Sequence, residues 1–345
     1  MQTSLLKYLR CPFTKTGLEL TVIKSGASGD VEEGWLLSGG GYIFPVIKGI
    51  PRMLPESFTD HKDFLQKHLP GYDEHASLIK SKYGRVIDAA VKRNSPTKKS
   101  FSFEWGLLKS VNDTRIWNYN KEAFKEQLFA ELDSGEEDLK NKVTVDVGCG
   151  HGQSSYYLSQ ASALCIGMDL GASVEKAAAQ FQNNNLHYIQ ADLHHPPFAD
   201  GTFDVVYSSG VLHHTPDTAN AFNITGRLCK AGGTFCVWLY HPFNNNIHRF
   251  MRMLRRVTVY LPLRLQFWLY MFFLMPLHKI ISWLKGKPKS WREIMINQLD
   301  MLSPRYRFEH THDEVEEWFH KQGYGNCKVT SSGQMGFSIK GVKSS

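Results

Sequence analysis

The sequence predicts an α/β protein built on a doubly wound, mostly parallel seven-stranded sheet, preceded by a small β-rich domain and interrupted by a helical lid. Three observations lead to this prediction. Short apolar strands alternate with helical segments from residue 141 onward, which is typical of a parallel sheet covered on both faces. A glycine-rich turn follows the first of these strands, and an apolar, basic segment breaks the alternation at residues 241–300.

The composition is that of a folded protein without a cysteine framework. Hydrophobic residues make up 42% of the 345 residues, and the net charge of +7 permits an anionic partner without requiring one. The six cysteines form no C-x-x-C pair, so we expect no disulfides, no zinc site and no other metal. Charges interrupt the first apolar stretch, so it does not resemble a signal peptide, and we expect a cytoplasmic protein.

Residues 1–58 form the predicted small domain. Strand-like runs occur at Leu18–Ile23, Trp35–Leu37 and Tyr42–Ile47, and glycines separate the last two. The stretches LLKYLRCPFTKTGLEL and YIFPVIKGIPRML resemble Trm112-like domains. Zinc-bearing members of that family use four cysteines, whereas only Cys11 is present here, so the resemblance implies a metal-free scaffold.

Residues 59–140 are polar and predict a helical linker region. The basic run Lys80–Lys99 is typical of a solvated helix face. The aromatic stretch FSFEWG, Phe101–Gly106, follows it. We expect this stretch either to plug the core or to cover a cofactor.

The α/β core is predicted at residues 141–240 and 301–345. Its expected strands are Val143–Val147, Ala163–Met168, Leu186–Gln190, Phe203–Ser208 and Gly233–Tyr240, and its expected helices are Ser154–Gln160, Ser173–Gln182 and Asp217–Leu228. After the insertion, Thr311 and Glu314 predict the start of a helix over Asp313–Gln322, which Gly323 ends. Two further strands, at 326–331 and 335–342, are expected to close the sheet as a hairpin.

The segment VDVGCGHG, Val145–Gly152, follows an apolar strand and opens a helix. Its glycines, Gly148, Gly150 and Gly152, allow a ligand to approach the backbone closely, at the carboxyl ends of the strands. The G-x-G-x-G spacing differs from the dinucleotide fingerprint, which disfavours a nicotinamide oxidoreductase. Asp146, two residues before the first glycine, suits a cationic ligand.

This segment resembles motif I of class I, Rossmann-like S-adenosylmethionine-dependent methyltransferases. Three later segments agree in order and spacing: GMDLG with Asp169, QADLHHPPF with Asp192, and FDVVYSSGVLHHTPD. The resemblance implies that Asp169 binds the ribose and that Asp192 with its neighbour contacts the adenine. The implied residues for S-adenosyl-L-methionine are Asp146, Gly148, Gly150, Gly152, Asp169, Leu170, Asp192, Leu193 and Ser209.

Methyl transfer from a sulfonium depends mainly on proximity, and a base is required only if the acceptor must lose a proton. Imidazole titrates near neutrality, so His213, His214 and His241 are candidates, and we choose His213 as the catalytic residue. The chain has no Asp/Asn-Pro-Pro-aromatic motif after the fourth strand and no Pro-Cys pair. These absences disfavour two kinds of nucleic-acid base methylation.

The insertion at residues 241–300 is predicted to form the acceptor site. Ile247, Phe250, Met251, Leu254 and Val257 follow helical spacing. The run Leu265–Met275 is apolar on nearly every side, but its 11 residues would span only about half of a bilayer core. We expect a lid, a peripheral membrane contact through residues 247–284, or an oligomer contact. The first two favour a lipophilic acceptor.

The segment LDMLSPRYRFEHTHDEV resembles one in methyltransferases with similar lids. The resemblance implies that Arg305, Tyr306 and His310 face the acceptor. As candidate bases, His214 and His241 are also expected at the acceptor. Methyl transfer to a small, lipophilic or lipid-linked molecule is the leading interpretation. An RNA methyltransferase and a non-catalytic, cofactor-binding regulatory protein are the alternatives.

Overall fold

A computed structural model describes residues 1–27, 29–107, 121–242, 246–286, 288–333 and 335–344, without the side chains of 102–107, 246–248, 292 and 296. The prediction for the aromatic stretch FSFEWG therefore lies outside the described side chains, except for Phe101. The ring of Phe101 contacts His214 edge-on, with 5.0 Å between the ring centroids.

The N-terminal region forms a four-stranded antiparallel sheet, which confirms the predicted β-rich unit. A 3₁₀ helix over Thr3–Lys7 precedes the strands β1 (Leu18–Ser25), β2 (Val31–Ser38), β3 (Ile43–Ile47) and β4 (Ile50–Pro51), which pair in chain order. Three of these strands contain the runs that the sequence predicts.

Helices connect this small sheet to the core. They are α1 (Ser57–Asp60), α2 (Lys62–His68), α3 (Tyr72–Leu107), α4 (Lys121–Leu132) and α5 (Glu136–Leu139). The 36-residue α3 contains the basic run, and its outer residues Lys80, Lys92 and Lys99 are exposed, as predicted. Arg93 and Lys98 differ, because they turn inward and form ion pairs with acids.

The core is a seven-stranded, mostly parallel sheet, as predicted. Its strands are β5 (Val143–Val147), β6 (Leu164–Asp169), β7 (Leu186–Gln190), β8 (Phe203–Ser209), β9 (Cys229–Tyr240), β10 (Tyr324–Ser332) and β11 (Gly336–Lys343). Their order is β10-β11-β9-β8-β5-β6-β7, in which β11 lies antiparallel between β9 and β10. The helices α6 (Gln153–Ala161), α7 (Ser173–Gln180), α8 (Thr218–Arg227) and α13 (His312–Lys321) pack against it.

The small sheet packs directly on the edge strand β7. The backbone N–H of Met53 donates to the carbonyl of Gln190 at 2.7 Å. The buried guanidinium of Arg52 donates to the Gln190 side chain at 3.1 Å and to Glu175 at 2.8 Å. A buried cation with two partners is costly to separate from them, so these contacts fix the N-terminal unit against the core.

The insertion consists of α9 (Asn246–Thr258), α10 (Leu263–Leu269), a π-helical turn (Tyr270–Leu274), α11 (Met275–Leu284) and α12 (Trp291–Leu302). The middle three run on as one 22-residue helix, Leu263–Leu284, called the lid helix below. It is long and apolar enough to cross a membrane by length and composition. The expectation of a segment too short to cross is therefore wrong, because the helix continues beyond the apolar run on which that expectation was based.

Candidate active site

The glycine turn lies where β5 ends and α6 begins, in a backbone conformation that favours glycine. Gly148 has φ +83°, and a Cβ built on it would lie 2.3 Å from a methyl carbon of Val211. Gly150 has φ +53° and donates its N–H to Asp169 Oδ2 at 2.9 Å. The turn therefore packs closely against Val211 and Asp169, in a conformation that glycine adopts without strain.

A cavity of about 640 Å³ opens at these strand ends. Eight of the nine predicted cofactor residues line it: Asp146, Gly148, Gly150, Asp169, Leu170, Asp192, Leu193 and Ser209. Gly152 is the exception. A Cβ there would meet Tyr188 Oη at 2.6 Å and Ala177 Cβ at 2.7 Å, so this glycine allows α6, α7 and β7 to pack closely.

Asp146 and Asp169 lie at the ends of neighbouring parallel strands. Asp146 is buried and accepts a hydrogen bond from Ser155 Oγ at 2.6 Å, while burial raises its pKa to about 7. Asp169 accepts hydrogen bonds from the N–H groups of Gly150 and Gly171, and burial raises its pKa as well. Nearby positive charge would stabilise both carboxylates, which fits a cationic ligand.

Asp192, at the end of β7, differs from the other two acids. Burial opposes its ionisation, yet hydrogen bonds and charge from His194, Arg93 and Asn94 hold its pKa well below the ordinary value. The Arg93 guanidinium donates to Asp192 at 2.6 Å, and the Asn94 amide donates at 2.8 Å. Asp192 therefore stays charged, and its bonds to Arg93 and Asn94 hold α3 against the cavity wall beyond the end of β7.

A buried carboxyl group on α4 lines another part of the cavity. Glu131 accepts hydrogen bonds from Tyr207 Oη at 2.7 Å and from Gln127 Nε2 at 3.1 Å. Burial raises the pKa of Glu131, so its proton is held more strongly than on an exposed glutamate. Both Glu131 and Tyr207 line the cavity. A carboxyl group with a raised pKa in a cavity is a candidate for proton transfer.

His214 lines the cavity, whereas His213 is fully buried behind it. His214 Nδ1 lies 2.9 Å from the carbonyl oxygen of Tyr306, so Nδ1 carries the proton and Nε2 is an acceptor. Burial lowers the pKa of His214 to about 3, which keeps the ring neutral. The ring of His213 packs against Tyr240 at a tilt of 43°, and neither of its ring nitrogens has a hydrogen-bond partner among the described residues. The structure thus does not bring His213 to the acceptor space.

Four other residues were predicted at the acceptor, and none of them is among the described residues that line the cavity. They are His241, Arg305, Tyr306 and His310. His241 contacts the carbonyl of Gly333 at 2.9 Å, and the Arg305 guanidinium covers the ring of Tyr260. The His310 ring packs on Trp318. The structure places these contacts outside the cavity lining, and the role of these residues at the acceptor stays a prediction.

The insertion forms part of the wall of the same cavity. It contributes five lining residues: His278, Lys289, Asn297, Asp300 and Met301. Asp300 on α12 accepts a 2.5 Å hydrogen bond from Tyr240 Oη at the end of β9. The insertion therefore lines the same cavity as Asp146, Asp169 and Asp192.

Sequence reasoning missed Arg93, Asn94 and Glu131, because none of them lies in a motif. The basic run on α3 and the helical pattern of residues 59–140 were the only signals for these three. Tyr207 lies within FDVVYSSGVLHHTPD but was not selected from it. Within the described residues, no group of three or more His, Cys, Asp or Glu side chains could hold a metal ion.

Part of the chain that forms this site matches the model of a known protein family. Residues 145–237 match the family model described as "Methyltransferase domain". The match begins in β5 and ends in β9, so it covers the strands that carry Asp146, Asp169 and Asp192 and stops before the insertion.

Three curated proteins illustrate the similarity. The chloroplastic tocopherol O-methyltransferase of Arabidopsis thaliana is 39% identical over 115 residues, 32% of this chain and 33% of that protein. The ubiquinone biosynthesis O-methyltransferase of Hydrogenovibrio crunogenus is 29% identical over 153 residues, 43% and 56% of the two chains. The demethylmenaquinone methyltransferase of Corynebacterium kroppenstedtii is 34% identical over 93 residues, 27% and 39%. The chain thus spans about a third to just over half the length of these relatives.

Proposed function

We propose that this protein is an S-adenosylmethionine-dependent methyltransferase that acts on a small, lipophilic acceptor. One observation carries the proposal: the segment that matches a methyltransferase domain supplies a glycine turn and three strand-end acids to a single cavity. S-adenosylmethionine supplies an activated methyl group when it is bound. The glycine turn and the carboxylates of Asp146 and Asp169, which line the same cavity, fit a cationic nucleoside ligand.

Asp169 is the proposed ribose-binding residue, since its Oδ2 accepts one hydrogen bond, from the Gly150 N–H, and can accept a second. Asp146 is proposed to face the positive charge of the donor. Asp192 and Leu193 form the proposed wall for the adenine, and the ion pair with Arg93 holds that acid in place.

The acceptor is proposed to be a hydroxylated, lipophilic molecule. Two of the relatives are named tocopherol O-methyltransferase and ubiquinone biosynthesis O-methyltransferase, which suggests a phenolic or hydroquinone hydroxyl as the acceptor. In this step the O–H bond breaks as the new O–C bond forms and the methyl–sulfur bond breaks. The carboxylate of Glu131 is the proposed proton acceptor, because it lines the cavity and burial raises its pKa. The neutral Nε2 of His214 is proposed to accept a hydrogen bond from the same hydroxyl and so to orient it.

Two finer proposals concern the rest of the chain. The N-terminal unit is proposed to be a Trm112-like scaffold without metal, since its sheet is fixed to β7 through Arg52. Residues 247–284 are proposed to contact a membrane, as a lipophilic acceptor would require, on a protein that is otherwise cytoplasmic.

A turnover assay tests the function. The purified chain is incubated with methyl-labelled S-adenosylmethionine and three acceptors: a hydroquinone with an isoprenoid tail, the same hydroquinone without the tail, and total RNA. We expect label in the tailed hydroquinone, less in the short one and none in RNA. Label in RNA alone would support an RNA methyltransferase, and no transfer to any acceptor despite cofactor binding would favour the regulatory alternative.

A further inference from the structure

Exposed hydrophobic side chains are concentrated in one part of the molecule. Among the described residues, 13 of the 19 large hydrophobic side chains that are exposed lie between Phe250 and Trp291. Phe273 and Trp283 are each 70% exposed. Contiguous apolar surface of this kind marks a binding surface, whereas scattered exposed residues are ordinary.

The lid helix places its exposed and buried residues on opposite faces. The exposed hydrophobic residues are Leu265, Trp268, Phe272, Phe273, Leu277, Ile280, Trp283 and Leu284. The buried ones, Gln266, Tyr270, Met275 and Ser282, face the protein. The π-helical turn at Tyr270–Leu274 holds more residues per turn, and this rotates the second half so that its apolar residues continue the face of the first.

The neighbouring helix α9 extends this surface. Phe250, Met253 and Val257 are exposed at spacings of three and four residues, which places them on one side of the helix. Tyr260, just beyond the end of α9, is also exposed. These residues and the exposed face of the lid helix are called the lid surface below.

The charge of this region is one-sided. Residues 241–292 contain 10 of the 40 Lys and Arg residues and none of the 33 Asp and Glu residues. The positive net charge of the chain therefore comes entirely from this segment. Arg249, Arg256, Arg264 and Lys285 are exposed beside the apolar residues. Apolar side chains flanked by cations, without acids, complement an anionic lipid surface.

We infer that the lid surface docks on an anionic phospholipid bilayer, with the lid helix lying in the plane of the interface. A spanning helix would expose its whole circumference to lipid, but the opposite face of this one packs on α12 and contributes His278 to the cavity. One face therefore meets lipid while the other forms the cavity wall. The inference rests on the proposed function, since it supplies a route by which a lipophilic acceptor passes from the bilayer into the cavity.

Vesicle co-sedimentation tests this inference on the full chain. The probes are phosphatidylcholine vesicles and vesicles in which about a third of the lipid is phosphatidylglycerol. The test variant is Phe272→Ser with Phe273→Ser, and the matched control is Val22→Ser with Val329→Ser, which changes two exposed residues on β1 and β10. We expect binding to the anionic vesicles that weakens with salt, falls at least about tenfold in the test variant and is unchanged in the control.

Three outcomes would overturn the inference: no vesicle binding by wild type, equal binding by the test variant, or wild-type dimers that the test variant abolishes without any lipid binding. Salt-sensitive binding of RNA in place of vesicles would also contradict it. Binding of S-adenosylhomocysteine to both variants is measured in parallel. If that binding persists while lipid binding is absent, the docking inference fails and the proposed function stands.

Discussion

The donor half and the acceptor half of the cavity are built in different ways. The donor half consists of Asp146, Asp169, Asp192 and the glycine turn, all at the ends of consecutive parallel strands. The acceptor half gathers Glu131, Tyr207, His214 and Asp300 from four separate segments. A site made at strand ends is visible in local sequence, whereas a site assembled by helices and an insertion depends on how these pack. The comparison suggests that mutations in the two halves should separate cofactor binding from turnover.

The largest expected effect is on the donor half. In Gly148→Ala, the added methyl group meets Val211 at 2.3 Å in a backbone conformation that costs an L-residue about 1–2 kcal/mol. We expect binding of S-adenosylhomocysteine, measured by calorimetry, to weaken by about a hundredfold or more. Gly201→Ala is the control, because its φ of +65° imposes similar strain with no atom nearby. Equal binding by both variants would show that no ligand depends on this turn.

Glu131→Gln should affect the acceptor half alone. The substitution keeps the shape of the side chain but removes its capacity to take up a proton, so we expect kcat to fall about 10- to 100-fold. The Kd for S-adenosylhomocysteine should not change. Glu126→Gln on the exposed side of the same helix is the matched control. Loss of cofactor binding in Glu131→Gln would instead place this residue in the donor half.

His214→Gln should lower kcat by about tenfold, because it removes the imidazole nitrogen in the cavity wall that is proposed to accept a hydrogen bond from the substrate hydroxyl. His213→Gln provides the comparison. This fully buried position lies behind the wall, so its variant should melt at a lower temperature while folded protein keeps its turnover. A larger loss of turnover per folded molecule in His213→Gln would restore the original assignment of the catalytic histidine.

The smallest expected effect is a pH dependence of cofactor binding. The pKa of Asp146 is about 7 in the folded protein and 3.8 ordinarily. Because the folded state holds this proton more tightly, the protein loses stability as pH rises from about 4 to about 7. A cationic ligand favours the carboxylate, so the Kd for S-adenosylmethionine should fall about tenfold between pH 6 and pH 8. In Asp146→Asn the profile should be flat; a wild-type profile that is already flat would contradict this role.

The sequence predicted most of the fold, because the core strands are short apolar runs that end in glycine or aspartate. Val143–Val147 and Leu186–Gln190 were predicted to the residue. The length of the lid helix was not, since the apolar run at Leu265–Met275 gave no sign that the helix continues through Pro276. This proline has no N–H to donate, and it comes two residues after the π-helical turn, where the regular hydrogen-bond pattern of the helix is already interrupted.

The sequence also predicted only part of the site. Asp146 and Asp169 follow from their positions at strand ends, whereas Gly152 serves helix packing that a motif cannot reveal. His213 and His214 are adjacent in sequence, and only the fold decides which ring faces the cavity. Glu131 lies far from every motif, and its role depends on a contact with Tyr207 from another element.

Calorimetric titration of wild type and Asp169→Ala with S-adenosylmethionine and S-adenosylhomocysteine tests the central claim most directly. Asp200→Ala, an exposed acid outside the cavity, is the control. Loss of charge-assisted hydrogen bonds to the ligand should cost about 1.5–3 kcal/mol. We predict binding by wild type and Asp200→Ala, and binding about 10- to 150-fold weaker in Asp169→Ala. No binding of either ligand by folded wild type would contradict the assignment of the glycine turn and its acids to this cofactor.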